Sequence, residues 1–276
     1  MLKSTVSIDR LTILGDEVKD RFEQMINNNN FGFVERSSFA KFPYDKKYHM
    51  TDGSVLEHSK NQRNKAIRYD FNPNNINDGD KEKTHRRAIN DCISTMKYPK
   101  LSRVDISIDL YDIDLSDYEI RHESVKTIYY KSGAGKLETL YIGASESDLR
   151  YRIYNKAEEQ GIKDKKWWRV EVQLRRELTE AVFLNANPFE LVKFVKPILN
   201  SVEDMPTRAM LFYLQENPDQ WTSLSKPTRL KYKKILSTLQ SEKEINVAEI
   251  YENSAERIQK ELKQWLYIAQ KNNVIS

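Results

Sequence analysis

Cysteine is almost absent from this chain. Cys92 stands alone among 276 residues, which excludes an internal disulfide framework and any multi-cysteine zinc site. Its neighbours Ile89, Ile93 and Met96 place it on a buried helical face rather than at a reactive position. Long apolar runs are missing too. No stretch reaches transmembrane length and the N-terminus has no signal-peptide pattern, so a cytoplasmic protein is expected. Charge of one sign is not in large excess: 45 Lys and Arg against 41 Asp and Glu leave a formal net charge of +4. So small an excess does not by itself argue for nucleic acid, and the placement of the cations has to decide. Glycine is sparse at eight residues, and Gly133-Ala134-Gly135-Lys136 lacks the upstream glycine and the following Ser or Thr of a phosphate-binding P-loop.

What is present is patterned charge. The length allows one large domain or two modest ones. Residues 7–14 (SIDRLTIL) predict an opening strand, and residues 16–27 a helix stopped by the asparagine run 27–30. Short strands and loops are expected up to about residue 62, then a strand over 66–72 and a helix over 83–96. Residues 103–110, 127–130, 138–142, 149–156 and 167–174 read as short strands. Beyond residue 185 the period turns helical, with helices predicted over 188–199, 206–215, 227–239 and 246–271, several with proline in the first turn. The fold class is therefore α+β: a mostly antiparallel central sheet with helices on one face, then a helical C-terminal part. The expected division is a catalytic sheet domain over 1–185 and a helical region over 186–276.

Applying the two-residue strand period gives the segments a shared character. Arg68, Asp70 and Asn72 oppose Ile67, Tyr69 and Phe71. Arg103, Asp105, Ser107 and Asp109 oppose Val104, Ile106 and Ile108. Arg169, Glu171, Gln173 and Arg175 oppose Val170, Val172 and Leu174. Arg150, Arg152, Tyr154 and Lys156 oppose Leu149, Tyr151 and Ile153. One sheet packed on its apolar side would display acids, arginines and a tyrosine on the other. A phenol flanked by three cations can have its phenolate stabilised, and the same cations attract a phosphodiester. Residues four apart on a strand are roughly 13 Å apart, whereas cross-strand neighbours lie about 5 Å apart. Asp105 with Glu171 is therefore the preferred metal pair, with Asp70 third and Asp109 in reserve. Oxygen ligands of this kind suit Mg²⁺ or Mn²⁺.

The four histidines, His49, His58, His85 and His122, read as solvated loop or helix residues. None forms a His-hydrophobe-His pair, so the metal motif of HUH endonucleases is missing, and the His-x-x-Arg box of tyrosine recombinases has no match. A second basic site is the run Lys226-Pro227-Thr228-Arg229-Leu230-Lys231-Tyr232-Lys233-Lys234 at the start of a predicted helix. Lys226, Thr228, Arg229, Lys231, Lys233 and Lys234 are its candidate DNA contacts.

Four ordered segments carry a resemblance: Arg103-Val104-Asp105-Ile106-Ser107-Ile108-Asp109, Leu140-Tyr141-Ile142-Gly143 with Ser147-Asp148, Arg152-Ile153-Tyr154-Asn155-Lys156, and Trp168-Arg169-Val170-Glu171-Val172. The chain resembles the Rep_trans family, replication initiators of Gram-positive rolling-circle plasmids, from about residue 7 through Trp221 and the basic stretch after it. The resemblance implies that Tyr154 is the nicking nucleophile and that residues 226–234 read the origin. It also implies a homodimer, a requirement for Mg²⁺ or Mn²⁺, and loading of a UvrD-like helicase. The expected chemistry is transesterification at an origin hairpin or single strand, assisted by Arg152, Lys156 and Arg169 and leaving a 5′-phosphotyrosyl bond. Two alternatives stand beside it: a relaxase of an integrative or conjugative element with the same chemistry, and a non-catalytic DNA-binding regulator.

Overall fold

The computed structural model describes residues 2–18, 21–28, 34–37, 44–50, 52–59, 65–74, 79–122, 126–133, 136–184 and 186–270. Strand β1 (Ser4–Glu17) opens the chain and leads to helix α1 (Arg21–Asn28). The ambiguous stretch that follows contains β2 (Val34–Ser37), β3 (Lys46–Met50) and β4 (Val55–His58), before β5 (Ile67–Phe71). Helix α2 (Gly79–Ser94) then delivers the chain to β6 (Met96–Tyr111). Next come β7 (Glu119–His122), β8 (Thr127–Lys131), β9 (Leu137–Ile142), β10 (Leu149–Asn155), the one-turn helix α3 (Lys156–Glu159) and β11 (Trp167–Arg175). The remainder holds α4 (Leu178–Ala181), β12 (Val192–Pro197), α5 (Met205–Glu216), α6 (Lys226–Thr238), β13 (Ser241–Ile245) and α7 (Val247–Gln270). Ala134, Gly135 and Lys271, and much of the asparagine run and of the 29–62 segment, lie outside the described residues.

Ten strands form one sheet in the order β2-β3-β4-β5-β1-β6-β11-β10-β9-β8, with β13-β12-β7 as a separate three-stranded sheet. Every pairing in both sheets is antiparallel. The alternation read from the sequence becomes the two faces of the large sheet. Ile67, Tyr69, Phe71, Val104, Ile106, Ile108, Val170, Val172 and Ile153 are buried in one continuous core. Helix α7 lies over β6 and β1 and against α2. It contributes Val247, Tyr251, Ile258, Leu262 and Trp265 to that same core. Each large apolar side chain removed from water is worth roughly 1.5–3 kcal/mol, so this stripe binds the last helix firmly to the sheet. Trp265 meets Phe71 edge-on at 5.5 Å, and Cys92 is buried in α2 as its neighbours predicted.

One expected helix is a strand. The period predicts a helix over 188–199, but Val192–Pro197 is β12, between β7 and β13. A proline at position 197 would break a helix running to 199. The sequence Val-Lys-Phe-Val-Lys also alternates well enough to bury Val192 and Phe194 together. His58 is a second correction: it is buried, stacked on Phe22 at 4.1 Å and paired to Glu17 at 3.0 Å, and is not solvated. Among the described residues, no helix is long and apolar enough to cross a membrane.

Candidate active site

Strand pairing arranges the polar side chains in rows, because directly opposed residues of an antiparallel pair project to the same side. Tyr154 of β10 faces Arg169 of β11, which faces Asp109 of β6, which faces Thr5 of β1. In the next row Arg152, Glu171, Ser107 and Ser7 are opposed. In the third, Arg150, Gln173, Asp105 and Arg10 are opposed. The phenol and the carboxylates of β6 and β11 thus share one face of one sheet, while Tyr151 projects to the other face and donates its hydroxyl to the Pro188 carbonyl at 2.6 Å.

The turns that hold this register explain the sequence motifs. Gly143, after β9, has φ +97°, and a Cβ there would come within 2.8 Å of the Leu149 carbonyl, so only glycine closes this connection without strain. Ser147 tightens the same loop by accepting from the Ala144 amide at 3.0 Å. At the other end of β10, Asn155 ends the strand and caps α3, accepting from the Glu158 amide at 3.2 Å. Lys156 therefore begins a helical turn and does not continue the strand face, which corrects the expectation for that residue.

Two of the three flanking cations are already paired with a carboxylate. Arg152 stacks on the Tyr154 ring at 3.9 Å and bonds Glu159 at 3.0 Å, and Lys156 bonds the same carboxylate. Arg169 donates to both oxygens of Asp109 at 2.8 Å and to Asp9 at 2.7 Å. Burial pushes the Tyr154 phenol well up, and this outweighs the opposing pull of Arg169 and Arg152. Tyr154 is accordingly a neutral phenol at rest, contrary to the simple reading of three flanking cations.

The acids separate into held and unheld groups. Arg10, Arg68 and Thr12 all bond Asp70, and β1 lies between it and β6. Asp105 is held by Arg103 and Gln173, and Asp109 by Arg169 and Trp167. Glu171 is different: it is 9% exposed, and no hydrogen bond to its carboxylate is found among the described residues. Burial, then the charges of Asp105 and Asp9, push its carboxyl up to about 7. Asp105 is diagonal to Glu171 and not directly opposite, since Glu171 faces Ser107. The expected set of Asp105, Glu171 and Asp70 is therefore not gathered at one point, and no three Asp, Glu, His or Cys residues converge on an ion position among the described residues. Glu171 with Asp105 nonetheless fits a hard divalent cation, because a buried carboxylate crowded by like charge and short of donors is relieved by one. Mg²⁺ also commonly takes only one or two carboxylates and fills its sphere with water and substrate phosphate.

Two participants escaped the sequence reading. Asp9 sits where the β1–β6 register shifts between Ile8 and Arg10. Two adjacent polar residues between apolar Ile8 and Leu11 are the mark such a bulge leaves in a sequence. Glu159 ties Arg152 to Lys156, at the three-residue helical spacing from Lys156.

Glu171 makes a testable contribution to stability. Its folded-state value of about 7 lies above the ordinary 4.5, so its favourable effect is present below about pH 4.5 and is lost as pH rises through 7. In divalent-free buffer, Glu171→Gln should melt higher than the parent at pH 8, with the gap shrinking towards pH 5. Calorimetry showing a pH-independent gap would contradict the assignment.

In α6, the caps and folded-back side chains divide the basic segment. Ser225 caps the helix through the Thr228 amide and hydroxyl, and Arg229 turns back to the Leu224 carbonyl at 3.0 Å. Lys226, Lys231, Lys233 and Lys234 remain exposed. Just before the helix, Asp219 bonds Lys131 of the edge strand β8 at 2.7 Å.

Comparison with known proteins bears on this arrangement. The family model described as "Replication initiation factor" matches residues 99–209, which include β6, β10 and β11. A replication initiation protein of Staphylococcus aureus is 28% identical over 253 residues, covering 85% of this chain and 76% of that one. Another from the same species is 26% identical over 277 residues, covering 93% and 83%. A solved rolling circle replication initiator protein from Geobacillus stearothermophilus superposes with a TM-score of 0.44 at 15% identity, covering 65% of this chain and 77% of that one. All four sequence motifs fall inside the matched span, and over that span the chain is similar to replication initiation factors.

Proposed function

We propose that this protein initiates rolling-circle replication of a plasmid by nicking, and later rejoining, one strand of the origin through Tyr154. The observation that carries this reading is the row Tyr154–Arg169–Asp109, one step along the sheet from Glu171. The tyrosine hydroxyl attacks the scissile phosphorus in line, and the P–O3′ bond breaks. The products are a 5′-phosphotyrosyl link and a free 3′-hydroxyl. The phenol is protonated at rest, so its proton leaves during the attack and not before it, and the departing O3′ takes up a proton to become the 3′-hydroxyl. Arg169 and Arg152 then offset the charge on the ring oxygen and on the phosphate oxygens. A divalent cation bound by Glu171 and Asp105 would polarise that phosphate as a Lewis acid. The phosphotyrosyl bond conserves the energy of the phosphodiester, so resealing needs no nucleotide cofactor.

Origin recognition falls to α6, where Lys226, Lys231, Lys233 and Lys234 offer exposed charge for phosphates. A second copy of the chain and a UvrD-like helicase complete the set of partners in this reading. Incubation with supercoiled plasmid carrying the cognate origin and Mg²⁺ tests it. Open circles and a protein-linked 5′ end are expected. Origin binding without any nicked product would favour a non-catalytic regulator.

A further inference from the structure

The polar face continues past Tyr154 to the edge of the sheet. Thr139 of β9 faces Tyr154, and Tyr130 of β8 faces Thr139, so Tyr130 lies in the row of the proposed nucleophile. Two strand spacings separate them, about 10 Å. In the adjacent row Ile128, Tyr141 and Arg152 are opposed.

These edge residues do not serve the core. Tyr129 and Leu137 pack against it, whereas Tyr130 is 54% and Ile128 39% exposed. The Tyr130 and Tyr141 rings meet edge-to-face at 5.9 Å, and the Arg150 guanidinium lies 4.2 Å from the centre of Tyr141. Arg68, Arg103, Arg152 and Arg169 are each tied to a carboxylate. No such partner is found for Arg150 among the described residues, and its Nε is buried without an acceptor. An exposed ring, Tyr130, beside the half-buried Tyr141 and a cation without a carboxylate partner is the chemistry that holds unpaired nucleotides. Bases stack on the rings, the guanidinium meets a phosphate, and a duplex cannot present its stacked bases this way.

We propose that Tyr130 and Tyr141 form a base-stacking platform, with Arg150 as its phosphate contact, that holds single-stranded DNA beside Tyr154. This deepens the nicking reading, on which it rests for the placement of the scissile phosphate. The platform explains how an extruded strand is kept across the sheet while the phenol attacks, and it adds binding energy without base-specific hydrogen bonds.

The test uses the full chain carrying Tyr154→Phe, so that no covalent chemistry intervenes, and fluorescein-labelled dT20 as the probe. Anisotropy titrations should show Tyr130→Ala and Tyr141→Ala each weakening binding roughly 5- to 100-fold, with Tyr130→Phe within about two-fold of the parent. Arg150→Ala should weaken dT20 and reduce the slope of log affinity against log salt by about 0.7. Affinity for a 20-base-pair duplex should change little in all four variants. The proposal is overturned if both alanine variants bind dT20 as the parent does, or if duplex affinity falls in parallel. Failure here leaves nicking by the unaltered protein intact, and failure to nick leaves this binding result to be judged by itself.

Discussion

Tyr154→Phe is expected to yield no nicked circles and no covalent protein–DNA adduct while binding origin DNA as the parent does. The substitution removes one oxygen and little else. The ring stays buried, Arg152 stays stacked on it at 3.9 Å, and the hydroxyl makes no hydrogen bond among the described residues. Loss of stability should therefore stay within about 1 kcal/mol, the scale of a single net hydrogen bond. The chemistry, in contrast, loses its nucleophile, since the other phenols of that face, Tyr130 and Tyr141, stand on the outer strands β8 and β9. Tyr151 is next in sequence but points away and spends its hydroxyl on Pro188. Tyr151→Phe should accordingly keep nicking activity, and the pair of variants separates loss of a nucleophile from damage to the strand. Denaturing gel analysis with end-labelled origin DNA reads both outcomes. An adduct persisting in Tyr154→Phe removes the residue from its role.

Arg169→Met should be the most destabilising single change in the site. The guanidinium is 11% exposed and holds Asp109, whose side chain is 7% exposed, through two bonds of 2.8 Å, and Asp9 through a third. Its removal leaves Asp109 buried with only the Trp167 indole as donor. Stripping one partner from a buried ion pair costs about 3–5 kcal/mol, because the other charge stays behind. For a chain of this size, that corresponds to a fall in Tm of roughly 6–20 °C. An exposed pair such as Arg87–Asp91, at 4.0 Å and with both side chains largely in water, should cost less than about 1 kcal/mol when broken. The double variant Arg169→Met with Asp109→Asn should recover much of the loss, since the deeply buried charge at 109 is gone and only the more exposed Asp9 loses its partner. Equal Tm values for Arg169→Met and Arg87→Met would contradict this account.

The faces of the sheet were legible because one side is buried by helices, and burial enforces strict alternation in β5, β6, β10 and β11. Tyr154, Arg169, Glu171 and Asp105 could be placed on one side from that period alone. Their rows could not. Whether Glu171 meets Asp105 or Ser107 depends on a register set by long-range pairing and by the bulge at Asp9, and neither is a property of the segment itself. The expectation of an opposed Asp105–Glu171 pair therefore became a diagonal one, and Asp70 proved committed to Arg10 and Arg68. The strand character of 192–197 was hidden by a proline that imitates a helix start at 188 and by apolar residues that satisfy both periods. Electrostatics were the least legible link. Counting cations around Tyr154 suggested an acidified phenol, but Arg152 and Lys156 share the Glu159 carboxylate, Arg169 is held by Asp109 and Asp9, and burial dominates.

The placement of the Tyr154 hydroxyl among these groups is tested most directly by locating the DNA on the protein. Adduct formed on origin DNA with Mg²⁺, digested with nuclease and trypsin, should give a nucleotide-bearing peptide spanning residues 153–156, with the phosphate on Tyr154. A phosphotyrosyl link mapped to any other tyrosine, or an adduct whose 153–156 peptide is unmodified, would contradict it.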